Sequence, residues 1–154
     1  MTFSFCSVEG YSGFLARGVS ILDASGDITF PNVVYNVGES YNSSTGVFTC
    51  PLDGLYWMSA MISVVAFDNA NDILNNIAVG FNITKCDLIV GDRPFSQVYT
   101  LLTTSTDSLM QPMSAGDTVR IGNCLNPQRL ANNGLSHFSA MLIAPLFRDE
   151  VDHH

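Results

Sequence analysis

The sequence predicts a single all-β domain built as a two-layer sandwich or jelly roll. Clusters of turn-forming residues recur at roughly even spacing, and the runs between them are short and rich in β-branched and aromatic residues. Helical patterning is absent: no longer stretch carries apolar residues at intervals of three and four with caps at both ends. A length of 154 residues fits one domain. Such a domain buries roughly 68–70% of its unfolded surface, enough for a full core.

The elements follow in chain order. Turns are expected at Ser25-Gly26-Asp27, Asn36-Val37-Gly38, Asn42 to Gly46, Pro51-Leu52-Asp53-Gly54, Ala115-Gly116-Asp117 and Asn132-Asn133-Gly134. Strands are expected between them, over Phe30 to Tyr35, Gly46 to Cys50, Leu55 to Val65, Ile77 to Ile83, Val98 to Thr104, Thr118 to Gly122 and Phe138 to Leu142. The run Leu55-Tyr56-Trp57-Met58, followed by Ala60-Met61-Ile62, is apolar on both faces. One face enters the core; the other predicts a cover from outside, by an overlay or another subunit. No repeat or linker divides the chain. The domain is expected over residues 10–148, with an extension at 1–9 and a tail at 149–154 in which Val151-Asp152-His153-His154 reads as a cloning scar and the start of a polyhistidine tag.

Charge narrows the function classes. Only 13% of residues are charged, about half the ~25% of an average soluble domain. The net charge is −8, which repels phosphate backbones and argues against a nucleic-acid partner. Anionic membranes are disfavoured likewise, and no apolar run is long enough to insert into one. With 47% hydrophobic residues and so little charge, a lone monomer is poorly covered by solvated side chains, which points to a buried self-interface.

Catalysis finds no support. His137 is the one histidine outside the tail, and it precedes an apolar strand rather than sitting by a nucleophile elbow. No GxSxG, P-loop, HExxH or dinucleotide fingerprint occurs. Asp68-Asn69-Ala70-Asn71-Asp72 fails as an EF-hand, because Ile73 stands in place of its Gly and Val79 in place of its bidentate Glu. The cysteines Cys6, Cys50, Cys86 and Cys124 form no CxxC pair, so a zinc site is not expected. Asn42-Ser43-Ser44 and Asn82-Ile83-Thr84 are glycosylation sequons.

The segment from Val33 to Tyr56 resembles the signature of the globular head domain of complement C1q. It shows Asn36, then Tyr41 and a polar turn ending Thr45-Gly46, then Phe48-Thr49-Cys50-Pro51 and Gly54-Leu55-Tyr56. Met113 to Val119 resembles the family's Gly-Asp strand entry at Gly116-Asp117, and Ser136 to Ile143 its closing strand. Met58 and Ala140-Met141 depart from the pattern but stay apolar. The resemblance implies a ten-stranded jelly roll of the tumour-necrosis-factor-like superfamily, assembled as a homotrimer. On that reading Phe30, Asn36, Tyr41, Gly46, Phe48, Gly54, Tyr56, Gly116, Asp117, Phe138 and Leu142 hold core, turns or trimer axis rather than a site.

The same resemblance implies a secreted, extracellular recognition module of innate immunity, lectin-like and complement-related, whose partners are microbial glycans or other pathogen-associated ligands. Loops on the rigid scaffold would bind them, with Arg93, Arg120 and Arg129 pairing with acidic groups and Asp87 and Asp92 as polar partners. Calcium is the one cofactor it allows, near the trimer apex through loop oxygens such as Asp87, Asp92 and Asp107. A cytokine-like or adipokine-like receptor ligand and a purely structural assembly module stand as alternatives. Cys50 matches a buried free thiol of the family. Cys86 and Cys124 are the preferred disulfide, because both would follow strands ending on one side of the sandwich; Cys6 is left free, paired with Cys50 or linking protomers. The residual charge is expected mostly in the loops.

Overall fold

The computed structural model describes residues 12–23, 26–63, 84–91, 93–100, 104–125, 130 and 134–145, with the backbone alone at 84, 95–100 and 104–107. Within them lie β1 (Gly13–Arg17), β2 (Ser20–Ile21), β3 (Ile28–Thr29), β4 (Asn32–Val37), β5 (Tyr41–Asn42), β6 (Val47–Thr49), β7 (Gly54–Ser63), β8 (Thr84–Val90), β9 (Arg93–Thr100), β10 (Thr104–Met113), β11 (Thr118–Leu125) and β12 (His137–Pro145). One five-stranded sheet runs β10-β7-β12-β1-β4 and a second runs β5-β6-β11-β8-β9; β2 and β3 form a small ribbon. The two large sheets supply the ten strands of a jelly roll, and every pairing is antiparallel.

Alternation builds the core. Phe14 and Ala16 on β1, Tyr56, Met58, Ala60 and Ile62 on β7, and Phe138, Ala140 and Leu142 on β12 point inward from the first sheet. Phe48, Cys86, Leu88, Val119 and Ile121 meet them from the second. The centre is aromatic. The ring of Phe14 lies flat on Tyr41 with centroids 4.1 Å apart and meets Phe138 edge-on at 4.9 Å.

Polar side chains close the ends. The phenol of Tyr41 accepts the Phe30 N–H and donates to the Phe30 carbonyl, both at 3.0 Å. Tyr56 does the same for Leu52, donating to its carbonyl at 2.8 Å. At the sandwich edge Asn36 donates to the Tyr41 carbonyl at 2.8 Å and accepts its N–H at 3.2 Å, clasping β4 of one sheet to β5 of the other. Gly46 has φ +75°, and a Cβ there would sit 2.6 Å from the Ile28 carbonyl. Gly54 needs no unusual φ; its missing Cβ leaves room for the Ala144 carbonyl, which would lie 2.8 Å away. Asp117 Oδ2 accepts the Ser114 N–H at 2.8 Å and shapes the β10–β11 turn.

Several expectations need correction. The strand expected over Val98 to Thr104 straddles two elements, since β9 ends at Thr100 and β10 begins at Thr104. The first expected strand is displaced: Phe30 precedes β4, which continues through Val37. Thr84–Val90 is a strand that was not expected, and Ile77 to Ile83 lies outside the described residues. Lys85, Asp87, Arg93 and Arg120 sit on strands, not in loops, because an antiparallel sheet can turn one face to water. Cys50 is free and buried, so it has no bond to Cys6, which itself lies outside the described residues.

Candidate functional site

The two outer faces of the sandwich differ in chemistry. On the first sheet, register aligns Met110 with Trp57 and Trp57 with Met141 across β10, β7 and β12. Leu55 and Met61 share that face with Trp57 and are half-buried, whereas Met110 is 58% exposed and Ile143 on β12 is 48% exposed. This is a broad apolar face turned outward.

The second sheet carries a charged and amide cluster on its outer side, beside the buried Ile89, which pairs with Arg120 in register. Because Val119, Ile121, Cys86 and Leu88 point inward, Arg120, Gly122, Lys85 and Asp87 point out. Asp27, just before β3, hangs over this face. Its Oδ1 lies 2.7 Å from Arg120 Nη1 and accepts the Asn123 N–H at 3.2 Å. Gly122 makes room for the pair, since a Cβ there would run into both Asp27 Oδ1 and Arg120 Nη1. Beside it, Asp87 is only 6% exposed. Its Oδ2 accepts Asn123 Nδ2 at 3.3 Å, and Lys85 Nζ stands 3.9 Å from its Oδ1. That Oδ1 accepts no hydrogen bond among the described residues.

Local backbone explains the arrangement. The β8–β11 register shifts between Gly122 and Leu125, and Asn123 there takes φ 51°. Asn tolerates this left-handed region better than most residues, and such irregularities re-aim side chains. The shift sets Cys124 against Gly26, whose carbonyl accepts the Cys124 N–H at 2.9 Å. Cys124 is disulfide-bonded to Cys86 on the core side of the same sheet. The two cysteines lie within neighbouring strands, not after strand ends as the sequence suggested.

A shallow groove of about 540 Å³ follows β5 and β6 of the same sheet, lined by Glu39, Ser40, Asn42, Thr45, Thr49 and Pro51 among others. It offers hydroxyls, an amide and one carboxylate.

The sequence-predicted residues are thus only partly gathered. Asp87 and Arg120 share the polar face. Arg93 opens β9 and is exposed at the β8–β9 turn. Arg129 and Asp92 lie outside the described residues, and Asp107 falls on β10 of the first sheet with only its backbone described. Among the described residues no three His, Cys, Asp or Glu side chains gather as a metal site. Asp27 and Asp87 do not fit calcium, because Arg120 and Lys85 already stand against them and leave no excess of negative charge. Asp27, Lys85, Gly122 and Asn123 escaped the sequence reading. The alternation Lys85-Cys86-Asp87-Leu88 is the signal that marks β8, the strand of Lys85.

His137 opens β12 opposite Met61 and Arg17. Burial and then the Arg17 charge hold its pKa below the ordinary 6.5. Burial, aided by Asp117, pushes the Cys50 thiol up to about 12, so it stays protonated and unreactive.

A family description of the C1q domain matches residues 13–142. The chain belongs to the C1q domain family. Among solved structures, the globular domain of zebrafish complement 1qA superimposes with a TM-score of 0.61 at 16% identity, over 88% of this chain and 98% of that one. Murine APRIL gives 0.60 at 10% identity, covering 86% and 99%, and rabbit GITRL 0.60 at 11%, covering 88% and 96%. At such identities these likenesses concern the fold, which is the C1q and tumour-necrosis-factor-like jelly roll. No helix among the described residues is long and apolar enough to cross a membrane.

Proposed function

We propose that the protein is a secreted, homotrimeric recognition module of innate immunity that binds carbohydrate on microbial surfaces. Members of this family serve as ligand-binding or structural modules rather than as enzymes. The observation that carries the reading is the division of labour between the outer faces. Exposed Met110 and Ile143 around Trp57 on the first sheet favour burial against two further copies of the chain. The outer side of the second sheet is left free by that assembly, with Arg120, Asp27, Asn123 and Lys85 supplying donors and acceptors for sugar hydroxyls and the nearly buried Asp87 holding Asn123 and Lys85 in place. Arg93 extends the face, and Arg129 and Asp92 are proposed as further polar partners of the ligand. Weak sites repeated on a trimer gain by avidity. The Cys86–Cys124 bond supports an oxidising, extracellular setting, and the proposed domain spans residues 10–148.

Two measurements test this. Sedimentation should give three times the 16.7 kDa chain mass, and Met110→Glu should yield monomer, its side chain being exposed within one copy. A stable wild-type monomer refutes the assembly. A glycan array with bacterial pull-down should show binding that Arg120→Ala weakens without unfolding the chain. Saturable binding to host cells, with no glycan or bacterium bound, would overturn the ligand assignment and favour a receptor-binding trimer.

A further inference from the structure

We propose that Asn42 is an N-glycan acceptor, and that the glycan stands over the β5–β6 groove. Asn42 opens the sequon Asn42-Ser43-Ser44 and is exposed, as is Ser44. The turn presents the side chain in a defined way. Asn42 Oδ1 accepts the Ser44 N–H at 2.9 Å, while the Asn42 carbonyl accepts the Gly46 N–H at 2.8 Å. The carboxamide oxygen is therefore held against the chain, and its nitrogen has no protein partner among the described residues. Thr29 Oγ1 anchors the turn through the Ser43 carbonyl, and Gly46 packs on the backbone of Ile28. A sugar at Nδ2 thus leaves every hydrogen bond of the turn intact.

Position favours the modification too. β5 is the outer strand of the second sheet, and the apolar face of Trp57 and Met110 belongs to the first. A bulky, solubilising glycan there leaves that face free to assemble. Asn42, Ser40, Thr45 and Thr49 line one groove, so the first sugar lies among hydroxyls and ligand access shifts toward Arg120 and Lys85.

The transfer balances without redox change. A lipid-diphosphate-linked oligosaccharide is the donor. Asn42 Nδ2 bonds to the anomeric carbon, the carbon–oxygen bond to the diphosphate breaks, and one amide proton is released.

The proposal shares with the reading above only the secretory route, and glycan occupancy is measured apart from ligand binding. The full chain is translated into endoplasmic-reticulum microsomes in an Asn82→Gln background, which leaves one sequon and needs no folded product. A single endoglycosidase-sensitive gel shift is expected, lost in Ser44→Ala, which keeps Asn42 itself. For the chain secreted from animal cells, glycosidase release in heavy-oxygen water should convert Asn42 to labelled Asp. An unshifted microsomal product, or Asn42 recovered unlabelled from secreted protein, overturns the assignment.

Discussion

Replacing Tyr41 by Phe isolates one hydroxyl at the centre of the fold. The ring keeps its stack on Phe14, because that contact uses the aromatic face. What disappears is the partner of both polar groups of Phe30, a residue with no exposure to water. An orphaned buried backbone group costs about 1–3 kcal/mol, and two of them in one site put the expected loss at about 2–4 kcal/mol. With a urea m-value of about 2 kcal/mol/M, the midpoint should fall by about 1–2 M. Tyr56→Phe is the comparison, since its phenol serves the same two groups of Leu52, a residue 37% exposed. Water can replace the hydroxyl there, so that loss should stay below about 1 kcal/mol. Both variants and the parent are unfolded in urea at one protein concentration, because assembly couples to stability. Equal losses, or a Tyr41→Phe shift under about 0.5 kcal/mol, would refute the reasoning that burial of Phe30 sets the cost.

Reduction of the Cys86–Cys124 bond, which closes a 38-residue separation, should cost about 4 kcal/mol by chain entropy; denaturation with and without reductant measures it, and a loss under about 1 kcal/mol contradicts that account. Gly46→Ala and Gly116→Ala both meet a positive φ, but only Gly46 has backbone within 2.6 Å of the new methyl while Gly116 has open space. Gly116→Ala should therefore lose about 1–2 kcal/mol and Gly46→Ala clearly more, read as thermal midpoints. Because folding lowers the His137 pKa below 6.5, the unfolded chain takes up the proton first as pH falls. Stability should be full above about 6.5 and decline as pH drops through that value toward the folded pKa; an unchanged slope in His137→Gln would show another group responsible.

Turn chemistry and alternation made much of the fold legible. Gly46-Val47-Phe48 and Gly54-Leu55-Tyr56 announce strand starts because glycine meets an aromatic at the right spacing, and both begin where expected to within a residue. The outward apolar face of Trp57 was equally plain, since Leu55 to Ile62 has no polar alternation beyond Ser59. β10 was hidden for a physical reason. Thr104–Met113 is rich in Ser, Thr, Asp and Gln and contains Pro112, a composition that only an edge strand tolerates, and it lies at the edge of its sheet. The polar cluster was hidden by distance along the chain: Asp27 meets Asn123 from 96 residues away. Local patterns carry no record of such a meeting, and a glycine at 122 reads as a break in a strand until the ion pair above it is seen.

The separation of the two outer faces reaches beyond one molecule. A whole core layer, about 10 Å thick, stands between the Trp57 side and the Arg120 side. Substitutions that far apart act independently, so the face proposed to meet sibling subunits and the face proposed to meet ligands can drift at different speeds. Duplicated copies of such a gene could keep the first face interchangeable while the second diverges. Their products would then mix within single trimers, and a small set of chains would display many combinations of recognition surfaces.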